Sequence, residues 1–132
     1  MDVRSAARHW ADVWSRSWPT KDIDAIAALY ADGAAYRSHA FRKPYIGPSG
    51  AREYVEEAFE GDDELECWFG EPITTGSRAA VEWWAVFQRK GKEHTIAGTT
   101  VLRFDDAGRV AEHCDYWYQE EGRYRAWPTW GK

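Results

Sequence analysis

The residues Val110 to Gln119, V-A-E-H-C-D-Y-W-Y-Q, decide how this chain is read. They follow F-D-D-A-G (Phe104 to Gly108), a turn signal, and so read as the second strand of a hairpin. Successive side chains of a strand point to opposite faces. One face then carries Ala111, His113, Asp115, Trp117 and Gln119, the other Val110, Glu112, Cys114, Tyr116 and Tyr118. The first face sets an imidazole, a carboxylate and an indole in one row. Such a row suits the wall of a small-molecule pocket, where a mostly apolar lining holds a few polar groups. It equally suits a structural His–Asp hydrogen-bond pair, so the rest of the chain has to decide.

The hairpin's first strand is Glu93 to Phe104, with Ile96, Gly98, Thr100, Leu102 and Phe104 on one side. Before it, past the charged turn Arg89-Lys90-Gly91-Lys92, runs Arg78 to Gln88. There Val81, Trp83, Ala85 and Phe87 alternate with Glu82, Trp84, Val86 and Gln88, and the wholly apolar set should face the core. Glu64 to Pro72 alternates likewise, with Leu65, Cys67 and Phe69 on one side.

The first half reads as helical. Trp10, Trp14 and Trp18 recur every fourth position in residues 3 to 18, forming one helix face. Pro19 is expected to end that helix. Thr20 or Asp22 caps a second helix running to about Tyr30, with Ile23, Ile26, Ala27 and Tyr30 inward. Ala34 to His39 reads as a strand, Phe41 to Pro48 as loop, and Ser49 to Glu60 as a third helix. The tail, Glu120 to Lys132, carries Trp127 and Trp130 and is expected to lie against the body or a partner chain. This order predicts an α+β fold in one domain, 1–132: a curved antiparallel sheet with helices packed on one face.

Composition narrows the partners. The 132 residues suit one core, 44% are hydrophobic, and nine are tryptophan. A net charge of −5 with no basic run argues against nucleic acid. No apolar run approaches the ~20 residues that cross a bilayer, so no membrane partner is expected. The start, Met1 to Arg8, is charged and lacks an apolar core. A cytoplasmic protein with Cys67 and Cys114 reduced is the expectation. His9, His39, His94 and His113 are scattered, so neither a metal site nor a cofactor is expected.

Four stretches carry a family resemblance: K-D-I-D-A-I-A-A-L-Y-A-D-G-A (Lys21 to Ala34), Y-I-G-P-S-G-A-R-E-Y-V (Tyr45 to Val55), T-V-L-R-F-D-D-A-G-R-V (Thr100 to Val110) and E-H-C-D-Y-W (Glu112 to Trp117). Over roughly residues 8 to 119 the chain resembles the nuclear transport factor 2-like superfamily, which includes ketosteroid isomerases and SnoaL-like polyketide cyclases. The resemblance implies a cone: a sheet wrapped around a deep cavity and closed by three N-terminal helices, commonly as a homodimer. It implies that Leu65, Cys67, Val81, Trp83, Phe87, Thr100, Leu102, His113, Asp115 and Trp117 point into the cone, with Trp14 and Trp18 closing it. Trp68, Trp84, Tyr116 and Tyr118 then fall on the outer, dimer-facing side.

The isomerases' aspartate base has its place at Ser38 or His39 here, and their oxyanion partners at Trp14 and Thr100. None is preserved in kind, so steroid isomerase chemistry is not expected. The cyclases' acid/base aspartate lies in a last-strand motif that Glu112-His113-Cys114-Asp115 matches, placing Asp115 there. Asp115 and His113 are therefore the candidate catalytic pair. Trp14, Trp18, Ser38, His39, Trp83, Thr100 and Trp117 are the candidate ligand-binding residues. One reading is a binding domain for a small hydrophobic molecule, without chemistry or with an unassigned substrate. The second is a cyclase or isomerase in which Asp115 moves a proton beside a carbonyl. A hydrolase with a bound water is a third reading, but Arg37 and Arg103 fall on the wrong strand parity to serve it.

Overall fold

Asp2 opens the first helix, α1 (Val3–Thr20), by accepting the Arg4 N–H on its side chain. The tryptophan stripe does what its spacing requires: Trp10 and Trp14 are buried and Trp18 packs against the same core. The helix does not stop at Pro19 but runs on to Thr20 and ends at Lys21, which is left-handed with φ 57°. Proline has no N–H, so in the last turn it costs one bond, the one to Ser15. The Ser15 carbonyl instead accepts the Cys67 thiol at 3.6 Å. Burial pushes that thiol up to about 12, so it remains a donor at neutral pH.

The second helix, α2 (Ile23–Ala27), is capped by Asp22 and is shorter than expected. Tyr30, predicted to be its last inward residue, instead starts β1 (Tyr30–Arg37). Pairing with the final strand decides this, through the register Tyr30↔Val110. A two-residue strand, β2 (Tyr45–Ile46), lies where loop was expected and pairs with β1. Then come α3 (Gly47–Phe59), β3 (Asp63–Phe69), the short β4 (Ile73–Thr75), β5 (Arg78–Arg89), β6 (Lys92–Phe104) and β7 (Val110–Glu121). The computed structural model describes residues 2–132; Met1, the first residue of the charged start, lies outside them.

The strands form one unclosed sheet in the order β2-β1-β7-β6-β5-β3, with β4 on β5. The sheet is mixed rather than wholly antiparallel, because β1 and β7 run parallel. A parallel pair needs a long crossover. Here the whole segment from β2 to β6 supplies it, a connection that strand patterning does not display. Side-chain rows then cross the concave face in register. Leu102 stands beside His113 and His113 beside Tyr36. The next row is Val81, Thr100 and Asp115, and the next Trp83, Gly98 and Trp117. The helices cover this face, and the apolar core lies between them and the sheet. Leu65 and Cys67 stop short of the hollow, Cys67 being held against α1. The tail crosses the convex face, where Trp127 and Trp130 meet Trp84 edge-on. Among the described residues no helix is long and apolar enough to cross a membrane.

Gly98 sits between two indoles, in the row that bounds the hollow. A Cβ there would stand 2.9 Å from Trp117 Cβ and 3.0 Å from its Cα. Glycine in a strand interior commonly marks such close approach. Gly98→Ala is therefore expected to destabilise the fold by about 1–3 kcal/mol, read from the shift of the urea midpoint; a neutral effect would mean the two strands separate easily at this row.

Candidate functional site

Between the helices and the concave face lies a cavity of about 420 Å³, partly open to solvent at a mouth where the lining residues Arg42, Glu57 and Trp117 are exposed. That is within the range of small-molecule sites, roughly 300–1,000 Å³. Five tryptophans line it: Trp10, Trp14 and Trp18 from α1, Trp83 from β5 and Trp117 from β7. The aromatic side chains do not fill it.

At its wall His113 and Asp115 meet. His113 Nε2 and Asp115 Oδ1 are 2.8 Å apart, with the two side chains 2% and 11% exposed. They sit two residues apart on one face of β7, as strand parity requires. Tyr36, the β1 neighbour of His113, stacks on its imidazole with ring centres 3.7 Å apart at 17°.

The protons can be assigned by counting donors. Tyr30 Oη accepts from Trp10 Nε1 at 3.2 Å and Trp14 Nε1 at 3.4 Å. An indole N–H only donates. With its lone pairs taken, the Tyr30 hydroxyl donates its own proton to His113 Nδ1, 2.8 Å away. Burial holds the Tyr30 phenol well above its ordinary value, so the proton to donate is always present. Nδ1 therefore accepts, and Nε2 carries the ring proton and donates to Asp115 Oδ1. A second chain arrives from β5. Trp83 Nε1 donates to Thr100 Oγ1 at 2.8 Å, and Thr100 donates to the same Oδ1 at 2.6 Å.

Both chains thus end on one oxygen. Asp115 Oδ2 has no protein partner, yet among the described residues no buried side-chain nitrogen or oxygen lacks one. Oδ2 is therefore accessible, and Asp115 lines the cavity. A carboxylate oriented through one oxygen and open at the other is the arrangement a general base needs.

The mouth is polar. Arg89, from the end of β5, donates through Nε to Asp62 at 2.7 Å, and Tyr45 donates to Glu57 at 3.0 Å. Arg42 joins the lining from the loop after β1. Trp117 is 43% exposed and donates from Nε1 to the Ser38 carbonyl at 2.9 Å, tying β7 to that loop. Among the described residues no three His, Cys, Asp or Glu side chains lie together as a metal site would require.

The profile of the SnoaL-like domain family matches residues 7–113. The chain belongs to that family. Solved structures share the fold at low identity. One is SalBIII, an epoxide hydrolase/cyclase-like enzyme of pyran ring formation in the polyether salinomycin, at 18% identity and TM-score 0.74, covering 89% of this chain and 93% of that one. Another is an epoxide hydrolase of LEH-like type from Mycobacterium tuberculosis, at 15% identity and TM-score 0.71, covering 89% and 86%. A third is a protein with a ketosteroid isomerase-like fold from Catenulispora acidiphila, in complex with trimethylamine, at 16% identity and TM-score 0.71, covering 81% and 83%. At such identities the likeness concerns the fold. No curated protein matches the chain.

Within this SnoaL-like domain the expected residues divide. Trp14, Trp18, Ser38, Trp83, Thr100, His113, Asp115 and Trp117 all border the cavity. His39 does not; its Nδ1 accepts the Phe41 N–H at 3.2 Å, in the adjoining loop. Arg103 pairs with Glu112 away from the cavity, as parity implied. Tyr30, Tyr36, Arg42, Glu57, Asp62 and Arg89 went unnoticed as site residues. Tyr36 shares parity with Ser38, and Arg89 with Val81 to Phe87, so alternation carried one step further reaches both. Arg42 lies in a loop and has no period to betray it.

Tyr30→Phe removes the hub of the longer chain, stranding two indole N–H groups and His113 Nδ1. A loss of about 2–4 kcal/mol is expected from these buried unpaired groups, measured by urea unfolding. A loss below about 0.5 kcal/mol would show that Tyr30 is not the hub.

Proposed function

We propose that this domain binds a small hydrophobic molecule carrying a carbonyl group, and that Asp115 moves a proton on the carbon beside it. The observation that carries the reading is the convergence of two donor chains on Asp115 Oδ1, with Oδ2 left free in an aromatic cavity. Asp115 Oδ2 takes the proton; the electron pair of the broken C–H bond passes toward the carbonyl oxygen as an enolate forms. The enolate carbon then attacks a second carbonyl carbon of the same molecule, closing a ring as that C=O π pair moves onto its oxygen, which takes the proton back from Asp115; or the enolate, conjugated to a C=C bond, recovers the proton from Asp115 at another carbon. Trp14, Trp18, Trp83 and Trp117 hold the apolar body, and Ser38 is available for a polar contact near the mouth. His113 and Thr100 act on Asp115 as positioning residues. The hydrolase reading calls for Arg37 or Arg103 beside Asp115 and a water, and neither borders the cavity.

We further propose a cytoplasmic homodimer built on the convex face. Trp68, Tyr116 and Tyr118 are 45%, 52% and 84% exposed there, a patch of the kind that marks an interface. Both cysteines are free thiols, in keeping with a reducing compartment. A sedimentation velocity run at micromolar concentration is expected to give a dimer; a monomer would refute the interface.

The chemistry has a test that needs no knowledge of the product. The protein is incubated in deuterium oxide with 1-tetralone and 2-tetralone, and loss of the α-proton signal is followed by NMR. Wild type is expected to exchange at least ~100-fold faster than Asp115→Asn, the usual share of a positioned base. Circular dichroism should show Asp115→Asn folded. Equal rates in the two folded proteins would leave only a binding domain.

A further inference from the structure

The mouth of the cavity carries more hydrogen-bond donors than its own acceptors use. Glu57 already accepts from Tyr45 and Asp62 from Arg89. Arg89 spends only Nε on Asp62, and Phe87 lies under its guanidinium at 5.2 Å, fixing the plane. Its two terminal nitrogens make no further hydrogen bond among the described residues. Arg42, exposed in the loop after β1, makes no side-chain hydrogen bond or ion pair among the described residues; other arginines are unpaired too, but Arg42 alone of them borders the cavity. Arg42 and Arg89 both border this cavity. A guanidinium offers five N–H donors in a planar fork matched to carboxylate, sulfonate or phosphate oxygens.

We propose, building on the reading of the cavity as a small-molecule site, that its ligand is an amphipathic anion: an apolar ring system whose oxyanionic group is held at the mouth by Arg42 and Arg89. The rim carries two positive and two negative side chains, so selection comes from directed donors rather than net charge. The anionic end cannot lie deep, where Asp115 would repel it. The ligand is therefore polarised along its length, with the oxyanion at the mouth, the ring system among the tryptophans, and the reacting carbon at Asp115. An ammonium-bearing ligand in the same orientation would face two guanidiniums without a partner.

Two fluorescent probes of similar size separate the terms. Both 1-anilinonaphthalene-8-sulfonate, an anion, and N-phenyl-1-naphthylamine, its neutral counterpart, are titrated into the whole chain, and competition between them establishes a shared site. Arg42→Glu is the informative variant, since Arg42 is exposed and its loss strands no buried group. The anion is expected to bind about tenfold more weakly to Arg42→Glu, and about threefold more weakly to Arg42→Ala, as for partly exposed charge pairs. The neutral probe should change less than about twofold. Equal weakening of both probes, or none, overturns the anion proposal while leaving the cavity a binding site. If neither probe binds wild type, the small-molecule reading falls and this proposal with it.

Discussion

The His113 to Asp115 hydrogen bond is the interaction on which the rest of the structure depends. It joins two neighbours of one strand face, yet it is set from three other strands and a helix. From α1 come two indole donors, from β1 the Tyr30 hydroxyl, from β6 Thr100, and from β5 the Trp83 indole. Each donor has one direction in which its proton can go, and each direction leads to Asp115 Oδ1. Polar groups in a low-dielectric interior are costly unless every one is satisfied. Here they are, so the network both orders the core and aims a carboxylate.

This explains why so many tryptophans are present. Apolar bulk alone could be supplied by leucine or phenylalanine. Trp10, Trp14 and Trp83 also supply N–H donors where no water is needed to finish the chain, and the indole N–H of Trp117 fastens β7 to the loop at the mouth. Gly98, between Trp83 and Trp117 in its row, lets β6 and β7 approach closely there, where a side chain would collide with the neighbouring strand. Packing and polarity are thus arranged by the same residues: aromatic rings make the wall, and their nitrogens set the proton positions behind it.

Much of this was legible in the sequence because strands repeat every second residue. The parity of Val81 to Phe87 and of His113 to Trp117 marks the concave face from the sequence alone. The i, i+4 spacing of Trp10, Trp14 and Trp18 gave the helix face that meets it. What parity could not give was order among strands. That β1 lies parallel to β7 brings Tyr30 and Tyr36 against His113, and pairing at such sequence separation leaves no local mark. The spacing of Tyr30 from Ile26 fits the end of a helix; strand pairing overrides that local preference. The helix continuing through Pro19 has a similar cause. A thiol far along the chain satisfies the carbonyl that proline leaves open. His39 has the opposite parity to Tyr36 and Ser38, which both border the cavity, and lies in the loop beyond the end of β1 at Arg37.

The decisive measurement is a neutron crystal structure of the deuterated protein, which locates the exchanged protons directly. The account predicts a deuteron on Tyr30 Oη directed at His113 Nδ1, a deuteron on His113 Nε2 directed at Asp115 Oδ1, and none on either oxygen of Asp115. A deuteron on His113 Nδ1 pointing back at Tyr30, or one shared onto the Asp115 carboxylate, would reverse the chain and contradict it.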